Sequence, residues 1–227
     1  MSWSQINTHI KLTVNTIPPS ISCGEALVAL LERYDVDTVF GIPGVHTLDI
    51  YRGLANSSIR HVQARNEQGA GFMADGYARL SGQPGVCILI SGPGVTNACT
   101  PMGQSFADSI PVLVISSTTA RNSLGKGWGC LHEVTDLESV TRPLTALSAT
   151  ASSVDEIEEL IGQAFSIFSS ERPRPVHIAI PIDVLASPVT NLWQKRVGPA
   201  RPAPNLFEIR KAAVMLRQAK RPLLYVG

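Results

Sequence analysis

Residues 86–97 read Val86-Cys87-Ile88-Leu89-Ile90-Ser91-Gly92-Pro93-Gly94-Val95-Thr96-Asn97, an apolar run that breaks at a glycine-proline turn and continues into a helix-like segment. The run barely alternates between apolar and polar, as expected of a strand buried on both faces. Similar strand-like runs stand at 38–40, 59–62, 112–116 and 176–180, separated by helix-like stretches at 47–55, 67–80, 96–107 and 154–168. Ser22 and Glu25 have capping-box spacing ahead of Leu27, Leu30 and Leu31, so a helix begins there. This alternation predicts an α/β fold, a doubly wound parallel sheet with helices on both faces.

The chain has 227 residues, enough for one domain with a full core or for one domain and the start of another. Composition shifts at Ser187-Pro188 and becomes proline-rich through 198–204. The expected organisation is an N-terminal arm over 1–21, a domain over 22–187, a linker over 188–205, and over 206–227 a helix and a strand from Pro222 that open a second, truncated domain. The stretch 121–142, rich in glycine and without periodicity, reads as a long functional loop.

A hydrophobic content of 44%, with 16% charged residues, describes a well-buried soluble protein. A net charge of +1 with no basic stripe excludes an electrostatic case for nucleic acid or an anionic membrane. The apolar runs 85–90 and 111–115 are far short of the roughly 20 residues a spanning helix needs. The first twenty residues lack the pattern of a secretory signal. Cys23, Cys87, Cys99 and Cys130 form no CxxC pair and fit thiols of a reducing cytoplasm.

The chemically suggestive residues fall where strands hand over to helices, the edge at which open parallel sheets place ligands. Phe40-Gly41-Ile42-Pro43-Gly44-Val45-His46 suits an ordinary turn and a ligand loop equally well. In 65–79, Glu67 opens a helix whose Gly69, Ala70, Gly71 and Ala74 make one side small, so a helix or a flat ligand must pack closely there. A lone acid at a helix start is ordinarily a dipole partner. The turn Ser91-Gly92-Pro93-Gly94 does not satisfy GxGxxG, and Gly125-Lys126 is followed by Gly127 where a Walker A loop needs serine or threonine. Phosphate binding by this domain is therefore unsupported.

Taken together, FGxPG at 40–44, the EQGA…MA…GYAR pattern from Glu67 to Arg79, SGPGxxN at 91–97 and DSxP at 108–111 resemble, in order and spacing, the thiamine-diphosphate enzymes of the acetolactate synthase and 2-oxo acid decarboxylase group. The resemblance runs from about Gly24 to Asp183, and the tail is similar to the start of that family's central domain.

It implies that Glu67 hydrogen-bonds N1′ of the cofactor's aminopyrimidine, that Pro93 and Asn97 line the pyrimidine pocket, and that Ile42, Pro43 and Gly44 form the neighbouring loop. It also implies Mg2+ and the diphosphate on a later domain, a central domain able to hold FAD, a homodimer or homotetramer, and a 2-oxo acid substrate. His132, in Leu131-His132-Glu133, stands where synthases carry the glutamine of a phenylalanine-glutamine-glutamate sequence, which implies a catalytic role in substrate or proton handling. Asn66 stands where many relatives have histidine, and Ile42 where synthases often have tyrosine. The combination Gly41-Ile42-Pro43-Gly44-Val45-His46-Thr47 with Leu124-Gly125-Lys126-Gly127 and Leu131-His132-Glu133 looks closer to decarboxylases of 5-guanidino-2-oxopentanoate. His46, Asp49, Asp108, Glu133 and Asp136 are further candidate contacts, though such residues are ordinarily surface or capping groups.

Overall fold

A computed structural model of the chain describes residues 21–225. In chain order the elements are β1 (Ile21–Ser22), α1 (Cys23–Arg33), β2 (Thr38–Gly41), α2 (Leu48–Ala55), β3 (Arg60–Gln63), α3 (Glu67–Ser81), β4 (Gly85–Leu89), α4 (Pro93–Asn97) and α5 (Cys99–Asp108). They continue as β5 (Val112–Thr118), α6 (Leu137–Thr141), β6 (Leu147–Thr150), α7 (Val154–Ser170), β7 (Val176–Pro181), α8 (Ile182–Leu185), β8 (Pro188–Val189) and α9 (Leu206–Gln218). Six strands form one sheet in the order β3-β2-β4-β5-β7-β6, every neighbouring pair parallel.

Successive strand residues enter different layers. Val39, Val86, Ile88, Leu113, Ile115, Val176, Ile178 and Ile180 pack with α1, α2 and α7. Phe40, Cys87, Leu89, Val112, Val114 and Ala179 pack with α3, α4 and α5. The doubly wound α/β fold expected from the alternation is the one found. α1 starts where the capping box requires: Ser22 Oγ accepts from Glu25 N, and the Glu25 carboxylate accepts from Ser22 N at 2.8 Å.

Some elements differ from the sequence expectation. The helix expected at 96–107 is two helices broken at Ala98, because the turn of α4 begins earlier, at Pro93, with proline at its first position. Within 121–142 the loop ends in α6, capped by Asp136, whose carboxylate accepts from Ser139 N. The edge strand β6 has the half-exposed sequence Leu-Ser-Ala-Thr, with no apolar run to reveal it. No strand forms over 222–225. The start of the expected linker lies against the domain: β8 pairs antiparallel with β1, and Val189 and Trp193 are buried. The expected arm lies outside the described residues except for Ile21. Cys23 and Cys87 are buried, whereas Cys99 and Cys130 are only partly so.

Candidate active site

After β2 the chain turns to β3 on one side, then crosses back to place β4 on the other. The carboxyl ends of β2 and β4 thus flank the switch point of the sheet, where a crevice opens for ligands. The loops leaving these strands meet at Ile90. A side chain on Gly44 would lie 2.3 Å from Ile90 Cδ1, and one on Gly94 would lie 2.6 Å from Ile90 Cγ2 and 3.7 Å from Glu67 Cγ. A side chain at Gly94 would crowd the branched Cγ2 of Ile90, whereas one at Gly44 would meet only the mobile end of that side chain.

Glu67 is the first residue of α3. Asn66 fixes that start, its side-chain oxygen accepting from Gln68 N at 2.8 Å. Glu67 is half-buried, and Asn97 Nδ2 donates to its Oε2 at 2.9 Å. One carboxylate oxygen is thereby held by a neutral donor while the group stays at the positive end of the helix. Ile42 and Gly44 are half-buried beside this point, and Pro43 and Pro93 are exposed. The small side of α3 meets both a helix and the sheet. A Cβ on Gly71 would lie 2.3 Å from Pro101 Cγ of α5, and Ala70 and Ala74 pack with Cys87 and Leu89, while the space beside Gly69 is open.

The loop after β5 builds the other side. Gly125, Gly127 and Gly129 have φ of 70°, 63° and 74°. This winding turns the backbone amides of Gly127, Gly129 and Cys130 onto the Glu133 carboxylate at 2.9, 2.7 and 3.0 Å. Desolvation raises the pKa of Glu133, but these backbone donors outweigh it and the net shift is downward.

His132 adopts φ 57°, a left-handed conformation that histidine tolerates better than most residues. Its carbonyl accepts from Ser91 Oγ at 3.1 Å and sits where a Cβ on Gly92 would come within 2.3 Å. The loop is thus docked on the same turn that carries Pro93 and Gly94. There the His132 ring meets His46, with centroids 6.0 Å apart and planes at 77°. Burial, and then the neighbouring His132, lower the pKa of His46.

The other candidate contacts are already engaged. Asp49 pairs with Arg52, Asp108 accepts from Arg79 and Gln104, and Asp136 caps α6. His46, Thr119, Ser123, Trp128, Leu131 and Ile182 are among the residues lining a cavity of about 300 Å³ at this edge. A larger cavity of about 700 Å³ lies at the opposite, amino-terminal edge, between Tyr34, residues 82–84 and the connector at 195–201. It is remote from these loops, and chemistry in open parallel sheets belongs at the carboxyl edge.

Residues 21–139 match the family model of the thiamine pyrophosphate enzymes, N-terminal TPP binding domain. The chain belongs to that family. It is 59% identical over 210 residues to a probable 2-ketoarginine decarboxylase of Pseudomonas aeruginosa, covering 92% of this chain and 38% of that protein. It is 39% identical over 206 residues to the acetolactate synthase isozyme 1 large subunit of Escherichia coli, covering 89% of this chain and 36% of that one. Against an acetolactate synthase of Mycobacterium bovis the identity is 38% over 208 residues, with 89% and 33% covered. The chain therefore spans little more than a third of the length of these relatives.

Thiamine diphosphate is the cofactor of this TPP-binding domain family, and the switch-point residues fit its aminopyrimidine. The half-buried acid lies against Gly94, its Cγ 3.7 Å from where a Cβ there would stand, and Asn97 holds one of its oxygens. Among the described residues no helix is long and apolar enough to cross a membrane.

Proposed function

We propose that this chain supplies the aminopyrimidine half of a thiamine-diphosphate site in an enzyme that decarboxylates a 2-oxo acid, with 5-guanidino-2-oxopentanoate as substrate. The observation that carries the reading is Glu67, held by Asn97 at the head of α3 and lying against Gly94 at the switch point. The substrate assignment is supported by the 59% identity to the probable 2-ketoarginine decarboxylase, against 38–39% to the synthases. It is also supported by Ile42 and His132, which depart from the synthase pattern.

When bound, the cofactor supplies a carbanion nucleophile and an electron sink. Glu67 would hold N1′ of the ring and exchange a proton with it. Asn97 orients the carboxylate by engaging Oε2, which leaves Oε1 for that exchange. Ile42, Pro43, Gly44 and Pro93 would line the place of the flat ring, and His132 would orient the substrate beside it. We assign Mg2+ and the diphosphate to another domain of a homodimeric or homotetrameric, cytoplasmic enzyme, and any FAD to a central domain. Acetolactate synthase-type carboligation is the second reading, favoured by the synthase relatives and separated by product analysis. A catalytically inactive assembly domain would have no use for Glu67 at this place.

In the complete enzyme, Glu67→Gln should slow hydrogen–deuterium exchange at the cofactor's C2 by about a hundredfold or more, the usual scale of a positioned acid or base. Exchange at the wild-type rate would overturn the assignment.

A further inference from the structure

α3 lies beside α4 and α5 and runs in the same direction, and the contacts between them repeat once per helical turn. Glu67 accepts from Asn97, Gly71 packs against the ring of Pro101, Asp75 accepts from Ser105 Oγ at 2.7 Å, and Arg79 Nη2 donates to Asp108 at 2.7 Å. Each rung lies four residues beyond the last along α3, close to the roughly 3.6 residues of one turn. The hydrogen-bonded partners stand 30, 30 and 29 positions apart. At one end of this seam is the candidate acid. At the other, about 18 Å along the helix at about 1.5 Å per residue, is the Arg79–Asp108 ion pair.

The rungs are of two kinds. Gly71, with Ala70 and Ala74 beside it, governs how closely the helices approach, but apolar contact is non-directional and does not fix one offset along the axis. Hydrogen bonds do, because they lapse beyond about 3.5 Å and a slip of one residue moves a helix by about 1.5 Å. Asp75 and Ser105 are both buried, and the Asp75 carboxylate is fully engaged. Its Oδ1 accepts from Arg79 Nε at 2.5 Å, and its Oδ2 accepts from Ser105 Oγ and, at 3.3 Å, from Arg79 Nη2. Arg79 forks onward to Asp108, whose Oδ2 also accepts from Gln104 at 2.8 Å. Charge-assisted bonds thus cross the seam twice.

Two apolar side chains would hold the helices together at least as well, since a buried charge carries a desolvation cost. What the buried carboxylate adds is a penalty for every other offset: moved away from Ser105, it would be a buried acceptor without its donor. The Glu67 end of the seam needs such a penalty. Asn97 is exposed, so water competes for its bond to Glu67, and the helix breaks at Ala98 before α5 begins. A group that exchanges a proton with a bound ring has to be held within about 0.5 Å.

We propose that Asp75 and Arg79, acting through Ser105 and Asp108, are positioning residues that set the offset of α3 along α5 and so keep the Glu67 carboxylate at Asn97. This rests on the proposed function in treating Glu67 as the acid of the cofactor site, while the offset itself is a property of the chain without cofactor.

The test uses the full chain labelled with 15N, with the Asn97 side-chain amide observed first in the free chain and then on titration with thiamine. In wild type the amide proton bonded to Glu67 should lie downfield of its geminal partner and exchange slowly with water. Asp75→Ala combined with Ser105→Ala removes the rung and leaves no buried group unpaired, so its urea midpoint should move less than that of Leu30→Ala, a deletion beneath the opposite face of the sheet. The Asn97 amide of this double variant should nevertheless exchange about tenfold faster, the scale of one hydrogen bond to a charged group, and respond less to thiamine. Arg79→Lys, a point charge that cannot fork to two carboxylates, should show a smaller loss in the same direction. Asp75→Asn keeps the shape and still bonds Ser105, whose hydroxyl accepts as readily as it donates, so it should retain the wild-type signal. The folded fraction of Leu30→Ala should retain it too. In the complete enzyme the double variant should slow hydrogen–deuterium exchange at the cofactor's C2 about tenfold with little change in cofactor affinity. An Asn97 signal unchanged in the double variant, or lost equally in Asp75→Asn or in folded Leu30→Ala, would overturn the proposal. If Asn97 ignores thiamine in wild type while the free-chain signals behave as expected, the cofactor reading fails and the positioning role stands.

Discussion

The two faces of the sheet are built from different materials. On the face covered by α1, α2 and α7 the fully buried side chains are large and aliphatic: Leu27, Leu30, Leu31, Ile50, Ile157 and Ile161. The face covered by α3, α4, α5 and α6 sets small residues, Ala70, Ala74, Cys87, Ala98 and Ala179, among fewer large ones, Phe40, Leu89 and Met102. It also hides polar groups, among them His177, Ser116, Thr141, Asp75 and Ser105. Area buried scales with stability, so the first face carries most of the hydrophobic contribution. Small residues let helices approach the sheet closely, so the second face fixes where α3 and its Glu67 stand. The difference teaches that stability and site geometry are separable here, and each face can be disturbed alone.

The largest effect is expected on the first face. Leu30→Ala empties a fully buried volume and should cost about 2–5 kcal/mol in chemical denaturation, the usual range for such a deletion. The Asn97-to-Glu67 hydrogen bond lies on the other face, so thiamine-induced shifts at Asn97 should persist in whatever fraction remains folded. Loss of those shifts from folded Leu30→Ala protein would show that the faces are coupled.

A pH effect is expected from the second face. His177 is fully buried, with Nε2 at 2.8 Å from Ser116 Oγ and Nδ1 at 2.8 Å from Thr141 Oγ1. Burial pushes its pKa down from 6.5 to about 4. A base whose folded pKa is depressed binds fewer protons folded than unfolded, so its contribution is constant above pH 6.5 and stability is lost as pH falls from 6.5 to about 4. The loss should be roughly 2 kcal/mol by about pH 5 and roughly 3 by about pH 4, at 1.36 kcal/mol per pKa unit. His46 and His61 are shifted the same way by burial and add to the slope, so the readout is the difference between wild type and His177→Asn. Parallel stability–pH curves for the two proteins would remove His177 as the cause.

The sequence reveals the first face more readily than the second. Uninterrupted runs such as Val-Cys-Ile-Leu and Val-Leu-Val-Ile announce buried strands, and the capping box at Ser22 announces α1. Glu67, Gly44 and Gly94 are legible because strand-to-helix turns are where glycine and an acid stand out, and the resemblance joins them to Asn97. β6 is not legible, because an edge strand of Leu-Ser-Ala-Thr has no pattern distinct from a loop. Nor is the role of Glu133, which depends on three left-handed glycines curling their amides onto it. The meeting of His46 with His132, 86 positions apart in the chain, depends on two loops from different strands docking at one turn. Local patterns carry no information about such contacts, and only the assembled sheet order supplies them.

The smallest expected effects test the second face most sharply, because they use one helix and one type of substitution. Gly71 and Gly76 both lie inside α3, where replacing glycine by alanine gains about 0.5–1 kcal/mol if nothing obstructs the new methyl group. Nothing lies within 4 Å of a Cβ on Gly76, so Gly76→Ala should stabilise the chain by that amount. At Gly71 the new atom would come within 2.3 Å of Pro101 Cγ and 2.8 Å of its Cβ. The pyrrolidine ring cannot swing aside as a flexible side chain would, so α3 and α5 must separate. Gly71→Ala should therefore destabilise by about 1–3 kcal/mol, the cost of overpacking, despite the better helix propensity. The displacement would also loosen Glu67 from Asn97, since Asn97 lies just ahead of α5 and Glu67 one turn before Gly71. Urea denaturation of the two variants gives the signs, and the thiamine response at Asn97 gives the geometry. Equal stabilisation by both substitutions would mean that α3 is not held against α5 by close approach, and that the small residues of this face do not set the position of Glu67.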